Sequence, residues 1–337
     1  MTGTNLFEQQ RLNRRRSKIV IASFLAFFAW VGFGGDLAFY LMTADLKPGE
    51  YHHTVPWIGI VATLLGAGIA WHAWSTGAKR VLWATGAKKL ESANTPEERT
   101  LVNVVEEMAV ASGLPRPSIW LIPDADPNAF ATGTKETAAH VAVTKGLLDT
   151  LSRDELQGVI AHEMAHIQNH DVKLMTLLAA LTGAILLMSD AAWRSMRFGG
   201  GRGKGGGRGK KGHLGLLILV AWLITLLVAP ILSRLLALAV SRKRELLADA
   251  TGAQFTRNPA ALASALRKIE NADAPTKSIG RGSAHLCIAD PLGRRLTHKE
   301  GFVADLLATH PPMGLRVARL KAMAFQYEST GVLPEAV

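Results

Sequence analysis

Two histidines four residues apart, His162 and His166, enclose a glutamate at position 163 in the sequence His-Glu-Met-Ala-His. On an α-helix, residues i and i+4 lie one turn apart on the same face, so both imidazoles can reach one Zn²⁺ at ~2.0–2.1 Å. Glu163 does not point in the same direction as the two histidines, so it is free to accept a proton from a water molecule bound to the metal. The pattern arises by chance in very roughly one chain in a hundred of this size. A surface helix with two unrelated histidines is therefore the alternative to a zinc site.

The histidines need a helix to position them, and the surrounding residues predict one. Ser152 and Glu155 form a capping box, which indicates that the helix starts there. His162 is two positions from Ile160, about 200° around the helix, so the histidines are expected to lie away from the core face. That core face is predicted from apolar residues at three- to four-residue spacing: Leu156, Ile160, Met164 and Ile167.

A third zinc ligand must come from elsewhere in the chain. His170 continues the series of histidines, but i to i+8 is ~12 Å along a helix, too far for one tetrahedral ion. Glu245 is the better candidate. Glu245 and Asp249 share one face of a second predicted helix, and the aspartate can bond the far nitrogen of a ligand histidine. The alternative is an exposed helix face on which Lys243 and Arg244 pair with these carboxylates.

The apolar residues fall in blocks of membrane-span size, which disfavours a purely soluble globule. Leu174–Met188 is shorter than a full span. A cleaved signal peptide at the N-terminus is disfavoured, because a second apolar block follows at once and no clean cleavage site precedes it. The sequence therefore predicts about four transmembrane helices, at Ile19–Gly35, Val55–Trp74, Leu174–Met188 and Leu214–Leu232.

The four spans also relate the two candidate zinc-binding helices. His166 lies eight residues before the third span, and Glu245 lies thirteen residues after the fourth. A hairpin of these two spans brings both helices to the same side of the membrane at a similar height. This coincidence favours a site over two unrelated helix faces.

The net charge of +11 is carried by two short stretches, 11–18 and 194–211. Basic residues at the N-terminus and at 79–89 place both on the cytoplasmic side. The loop between the third and fourth spans is then outside although it is strongly basic, a conflict that the sequence leaves open. Its Gly/Arg/Lys-rich part, 199–213, is interpreted as a flexible linker, with contact to anionic lipid as the sharper alternative. No nucleic-acid partner is expected, and the single Cys287 excludes an internal disulfide framework.

Outside the spans and the basic N-terminus, the chain is predicted to form the two globular parts of one catalytic domain. Residues 1–18 form a basic N-terminus, 19–74 the first two spans, and 173–240 the transmembrane hairpin. The first globular part is 75–172 and the second is 241–337. Three helices and two strands are predicted in them: Pro96–Ala111, Asn258–Asn271, Met313–Ala324, Ser118–Ile122 and Ala139–Val143.

Several ordered motifs together resemble the HtpX group of bacterial membrane zinc metallopeptidases, relatives of the CAAX prenyl proteases with a gluzincin-like core. They are HEMAHIQNHD followed by a span, SRKRELLADATGA, and HPP near the C-terminus. The resemblance covers nearly the whole chain. It implies one Zn²⁺ held by His162, His166 and Glu245, with Glu163 as general base and Asp249 behind a ligand.

The same resemblance implies roles for residues that composition and spacing do not single out. Residues 127–133 match an edge strand on which an extended substrate adds main chain to main chain, through Asn128, Ala129, Phe130 and Ala131. His310 and Arg316 match positions expected to face the oxyanion. For His310 the alternative is a residue at a helix start before Pro311-Pro312.

The expected protein is an α-helical membrane protein with an α+β, zincin-type catalytic domain. Its expected place is the bacterial inner membrane, multi-pass, with the catalytic domain in the cytoplasm. Its expected activity is hydrolysis of membrane or misfolded polypeptides in protein quality control and the stress response, with membrane quality-control proteins as further expected partners. Two alternatives are prenyl-protein processing by the same chemistry, and a non-catalytic membrane adaptor whose metal is structural. Only three ligands are identifiable beside Glu163, which favours catalysis over a closed structural site.

Overall fold

The computed structural model describes residues 6–43, 53–177, 244–272, 278–279, 286–289 and 311–333. Two compact units divide them. Residues 18–43 and 53–75 belong to one unit, and residues 6–17, 76–177 and the described segments from 244 onward belong to the other. Most of the third predicted span, the fourth span, the basic loop 199–213 and His310 lie outside the described residues.

The first unit contains the apolar parts of two helices, α1 (Leu6–Thr43) and α2 (Trp57–Ala84). Within α1, Ser17–Leu41 is long and apolar enough to cross a membrane, and its large side chains include exposed Trp30 and Phe33. The α2 helix passes the same test only if its two parts, which are bent by 68°, count as one span. The described residues thus contain one such helix, or two with the bent pair.

Glycines allow α1 and α2 to pack closely within this unit. A Cβ on Gly32 would sit 2.6 Å from the Cα of Gly59, and one on Gly66 would meet the Phe28 ring at 2.6 Å. Small residues at such contacts are typical of helices that pack in lipid, where close backbone approach gives dispersion energy.

A buried carboxylate joins the same two helices. The Asp36 side chain of α1 accepts hydrogen bonds from the backbone N–H of Ile58 at 3.1 Å and of Gly59 at 2.5 Å. His53 Nε2 lies 2.6 Å from Asp36 Oδ1. Asp36 therefore satisfies N–H groups at the first turn of α2, which have no partner within their own helix.

The second unit is built on a four-stranded sheet with the order β1-β2-β4-β3. The strands β2 and β4 are parallel, whereas β1 and β3 pair antiparallel with β2 and β4 respectively. Both strands predicted from the sequence are present, and β3 lies at the edge of the sheet. The bounds are β1 Lys88–Lys89, β2 Ser118–Ile122, β3 Ala129–Gly133 and β4 Ala139–Thr144.

In the described part of the second unit, seven further α-helices and a 3-10 helix, Glu136–Ala138, accompany the sheet. Capping boxes at Thr95/Glu98 and Ser152/Glu155 start α3 and α5, as the sequence predicts for α5. The three helices predicted outside the His-Glu-Met-Ala-His motif are found, and the last extends six residues further. The segments are α3 Pro96–Ser112, α4 Lys145–Thr150, α5 Arg153–Gln168, α6 171–177, α7 244–256, α8 Pro259–Glu270 and α9 Met313–Thr330.

The helix α5 lies at the centre of this unit and is buried on both faces. Its predicted stripe, which includes Ile160 and Met164, packs in the hydrophobic core. The histidine face is opposite, as expected, but it is not a surface: His162 is fully buried and Glu163 is 1% exposed. The surface-helix alternative is therefore wrong for this chain.

Candidate metal centre

The helices α5 and α7 approach each other at a glycine. A Cβ on Gly252 of α7 would lie 2.9 Å from the backbone nitrogen of His162 and 3.1 Å from its Cα. Separations this short do not occur for real side chains without a shift of the backbone, so only glycine permits this approach. Because Glu245 precedes Gly252 by two helical turns on α7, the contact at Gly252 fixes how closely Glu245 approaches the histidines.

The structure brings His162, His166 and Glu245 together, with one donor atom from each within 4.8 Å of the others. The two Nε2 atoms are 3.1 Å apart. Glu245 Oε2 lies 3.7 Å from His162 Nε2, and Oε1 lies 3.4 Å from His166 Nε2. Ligands at ~2.0–2.1 Å from a tetrahedral zinc are separated by about 3.3 Å. Two imidazoles and one carboxylate at this spacing fit Zn²⁺ in both geometry and chemistry.

Each histidine of this group has a carboxylate at its other ring nitrogen. Asp249 Oδ1 lies 2.9 Å from His162 Nδ1, and Asp171 Oδ2 lies 3.2 Å from His166 Nδ1. Such partners orient an imidazole and raise its basicity as a metal ligand. The structure thus places Asp249 where the sequence predicts it, and it adds Asp171.

Both carboxylates are in turn held by arginines. Arg316 donates to both oxygens of Asp249, at 2.8 and 2.7 Å, and Arg244 Nη1 lies 3.5 Å from Asp171 Oδ1. Burial alone would raise the pKa of Asp249, but the Arg316 guanidinium outweighs it and lowers that pKa to about 2. Asp249 is therefore ionised whenever the protein is folded near neutral pH.

The charges of the cluster favour a cation. Four carboxylates, those of Glu163, Asp171, Glu245 and Asp249, lie with two guanidinium groups in a buried cluster. Without a metal, burial lowers the pKa of His166, but hydrogen bonds to Asp171 and Glu245 outweigh it and raise that pKa to about 10. A proton on His166 supplies positive charge where a metal ion would otherwise supply it.

Glu163 has the environment expected of a general base. Burial raises its pKa to about 7, and the nearby Glu245 carboxylate adds to the rise, against lowering by His166 and a backbone hydrogen bond from Ala131. Its Oε1 atom makes no hydrogen bond among the described residues. A carboxylate with a pKa near the working pH can both accept and return a proton.

The edge strand β3 lies beside Glu163. Asn128 O accepts from Thr144 N in β4, so the alternate residues Ala129 and Ala131 direct their backbone groups to the outer edge. Phe130 is fully buried. At the far end of the strand, Gly133 N donates to Thr176 Oγ1 of α6 at 3.2 Å.

Of the two remaining candidate residues, His170 lies apart from the metal ligands, whereas Arg316 lies beside them, with Nη1 3.5 Å from Glu245 Oε2. His170 does not join the cluster: its backbone has φ = +56°, its Nδ1 lies 3.4 Å from Glu136, and it lines a separate cavity with Lys135 and Lys173. Arg316 is fully buried; besides Asp249 it donates to Ile288 O at 2.8 Å. Its role toward an oxyanion stays a prediction.

Sequence reasoning missed three contributors: Asp171, Arg244 and Gly252. Asp171 could have been suspected from its place directly after the His-rich segment. Its distance from His166 depends, however, on the turn at His170, which the sequence does not indicate. Arg244 was noted only as a surface partner for Glu245, and Gly252 carries no signal of a close helix contact.

The fold and the site define a class of protein: an α+β domain in which two histidines and a glutamate are placed to bind one metal ion. Residues 96–324 match the sequence profile of peptidase family M48. A "Protease HtpX homolog" from Streptococcus gordonii is 37% identical over 318 residues, covering 94% of this chain and all of the relative. One from Thermoanaerobacter pseudethanolicus is 43% identical over 231 residues, 68% of this chain and 74% of the relative.

The chain belongs to peptidase family M48. Peptidases of this family are metal-dependent, and the prediction of a peptidase of the HtpX group is confirmed. The prenyl-processing and adaptor alternatives are not favoured. Among solved structures, S. mikatae Ste24p aligns with a TM-score of 0.45 and 18% identity, over 92% of this chain and 66% of that one.

Proposed function

We propose that this protein is a membrane-bound zinc endopeptidase in which His162, His166 and Glu245 hold one Zn²⁺. The observation that carries the proposal is the triangle of donor atoms beside a buried, proton-accepting Glu163. Three protein donors leave a fourth tetrahedral position for water or substrate, as in catalytic rather than structural zinc sites.

A zinc ion at this position would polarise the scissile carbonyl and make a bound water acidic. Glu163 takes the proton from the attacking water, and it then delivers that proton to the leaving amine. Asp249 and Asp171 hold the two imidazoles in orientation, and Arg316 keeps Asp249 ionised. His310 and Arg316 are proposed to face the oxyanion, on the family resemblance.

We further propose that the substrate binds as an extended strand along β3, through residues 128–131. The outward-facing backbone groups of Ala129 and Ala131 support this, because a peptide that adds to a sheet edge bonds to main-chain groups of this kind. In the described state these groups have partners within the chain, Ile288 N for Ala129 O and Glu163 for Ala131. Ala131 also contacts Glu163, which brings such a strand next to the general base.

The proposed surroundings are the bacterial inner membrane, crossed several times, with the catalytic domain in the cytoplasm. The apolar helix Ser17–Leu41, with its exposed aromatic side chains, supports membrane attachment. Four spans, the boundaries at 18, 74, 172 and 240, and the cytoplasmic orientation remain proposals from the sequence. Membrane proteins and misfolded segments near the bilayer are the proposed substrates, as part of protein quality control.

Replacing Glu163 by glutamine tests the function. Purified wild-type protein and Glu163→Gln should each hold one zinc, while cleavage of casein falls by at least about a hundredfold in the variant. Glu107→Gln, which alters an exposed ion pair with Arg153, is the matched control and should cleave normally. Zinc in both proteins with no wild-type cleavage would contradict the peptidase proposal, and loss of zinc from Glu163→Gln would contradict the assigned base.

A further inference from the structure

A segment of the chain itself lies on the outer edge of β3. We name residues 286–289 the strap. Ile288 N donates to Ala129 O at 3.0 Å, and Asn128 Nδ2 donates to Ala289 O at 3.0 Å. Ala129 and Asn128, the residue before β3, belong to the set proposed to bind substrate.

The strap runs antiparallel to β3. Its first residue, Leu286, lines the small cavity over the metal ligands together with Ala131 and Glu163, whereas Ile288 and Ala289 contact Ala129 and Asn128. As the strap proceeds forward, its partners on β3 therefore proceed backward. One main-chain hydrogen bond, from Ile288 N to Ala129 O, joins the strap to β3, and a peptide that adds to a sheet edge forms bonds of this kind.

Arg316 completes the hold on the strap. Its Nη1 donates to Ile288 O at 2.8 Å, while the same guanidinium binds Asp249 behind His162. A main-chain carbonyl thus lies on an arginine whose Nη1 is also 3.5 Å from Glu245 Oε2. The carbonyl of a bound peptide could be held in the same way.

With the strap in place, little room remains over the metal ligands. The cavity bounded by Glu163, His166, Glu245 and Leu286 has a volume of about 20 Å³. A water molecule needs roughly 10–15 Å³, so this cavity, as the described residues bound it, has room for about one water. In this state β3 and Arg316 are engaged by the chain itself.

We propose that the strap is a built-in occupant of the substrate's place on β3, which a polypeptide must displace before it is cleaved. This inference rests on the proposed function. It makes the described state an inhibited one and predicts that weakening the strap raises activity. A strap that only completes the core, in which Ile288 and Ala289 are buried, would instead lower activity when weakened.

Ile288→Pro removes the N–H that bonds Ala129 O, and Glu107→Gln, at an exposed ion pair with Arg153, is the control that leaves the strap intact. For zinc-loaded protein in detergent, we expect casein hydrolysis to rise about fivefold in Ile288→Pro, the effect of one lost backbone hydrogen bond. Glu107→Gln should match wild type. A rate in Ile288→Pro equal to or below that of wild type, at equal zinc content, overturns the proposal.

A binding measurement separates this proposal from the proposed function. Fluorescein-labelled casein is titrated into Glu163→Gln and into Glu163→Gln with Ile288→Pro, neither of which needs to cleave it. About fivefold tighter binding by the double variant supports the strap even if no protein in the series is active. Equal or absent binding in both overturns it.

Amide exchange covers the case in which Ile288→Pro does not fold. In Glu163→Gln protein with the native strap, saturating casein should speed exchange of the Ile288 amide and leave the α5 amides protected. Unchanged protection of Ile288 under bound casein overturns the proposal.

Discussion

Replacing Gly252 by alanine should weaken zinc binding without removing any ligand. The new Cβ would lie 2.9 Å from His162 N and 3.1 Å from His162 Cα and Ala161 C, all backbone atoms that cannot turn aside. Ordinary contact begins near 3.4 Å, so α7 must move from α5 by about 0.5 Å. Overpacking of this kind costs typically 1–3 kcal/mol.

This movement should lower zinc affinity more than it lowers the stability of the fold. Zinc–ligand distances tolerate only about ±0.2 Å. Because α7 carries Glu245 and α5 carries both histidines, a shift of about 0.5 Å between the two helices exceeds that tolerance. We therefore expect a ten- to hundredfold rise in the zinc dissociation constant, the size of effect seen when residues supporting ligands are disturbed. Competition with a chromogenic zinc chelator measures this constant directly.

Gly314→Ala is the control for this experiment. Gly314 lies in the first turn of α9 with no atom within 4 Å of an added Cβ, so alanine there should leave zinc affinity unchanged and slightly raise stability. Wild-type zinc affinity in Gly252→Ala would refute the reasoning, because α5 and α7 would then not be held apart by this contact. Equal losses in both variants would refute it as well.

Two further predictions concern the buried charges. Arg316→Met should lower the free energy of unfolding by about 3–5 kcal/mol, because it leaves Asp249 without its buried partner; a loss below about 1 kcal/mol in denaturant melts would contradict this. The pKa of Asp249 is lowered to about 2 in the metal-free fold, compared with about 3.9 in the unfolded chain. Its ionised form therefore stabilises the fold by roughly 2 kcal/mol above about pH 4, and this stabilisation is lost as the pH falls from about 4 through 2. Unfolding curves from pH 5 to 2 measure it, and Arg316→Met should flatten this dependence.

Local patterns predicted much of the site. The capping box at Ser152 and Glu155 predicted where α5 begins, and the i, i+4 spacing of Glu245 and Asp249 predicted their shared direction. Both are properties of a few neighbouring residues. Because α5 and α7 each present their ligands on one face, the packing of those two faces brings one donor atom each from His162, His166 and Glu245 within 4.8 Å of one another.

Features that depend on distant segments were not predictable in this way. Asp171 reaches His166 because the chain reverses at His170, whose positive φ no neighbouring residue requires. The burial of the histidine face depends on α7, about ninety residues away in the sequence. In the strap, Ile288 bonds to Ala129, and a bond between residues so far apart in the sequence cannot be predicted from a local pattern of residues.

On the proposed topology, in which α1 and α2 both cross the membrane, the Asp36 carboxylate affects the order in which they insert during synthesis. All three of its described hydrogen-bond partners, His53, Ile58 and Gly59, come later in the chain. A nascent chain that ends before residue 53 carries this carboxylate in an apolar helix with none of those donors, at a cost of several kcal/mol. We expect insertion of α1 into the membrane to be reversible until residue 59 has left the ribosome. After that, α1 and α2 should insert stably as a pair. Arrested chains of increasing length would show integration at shorter lengths for Asp36→Ala if this order is right.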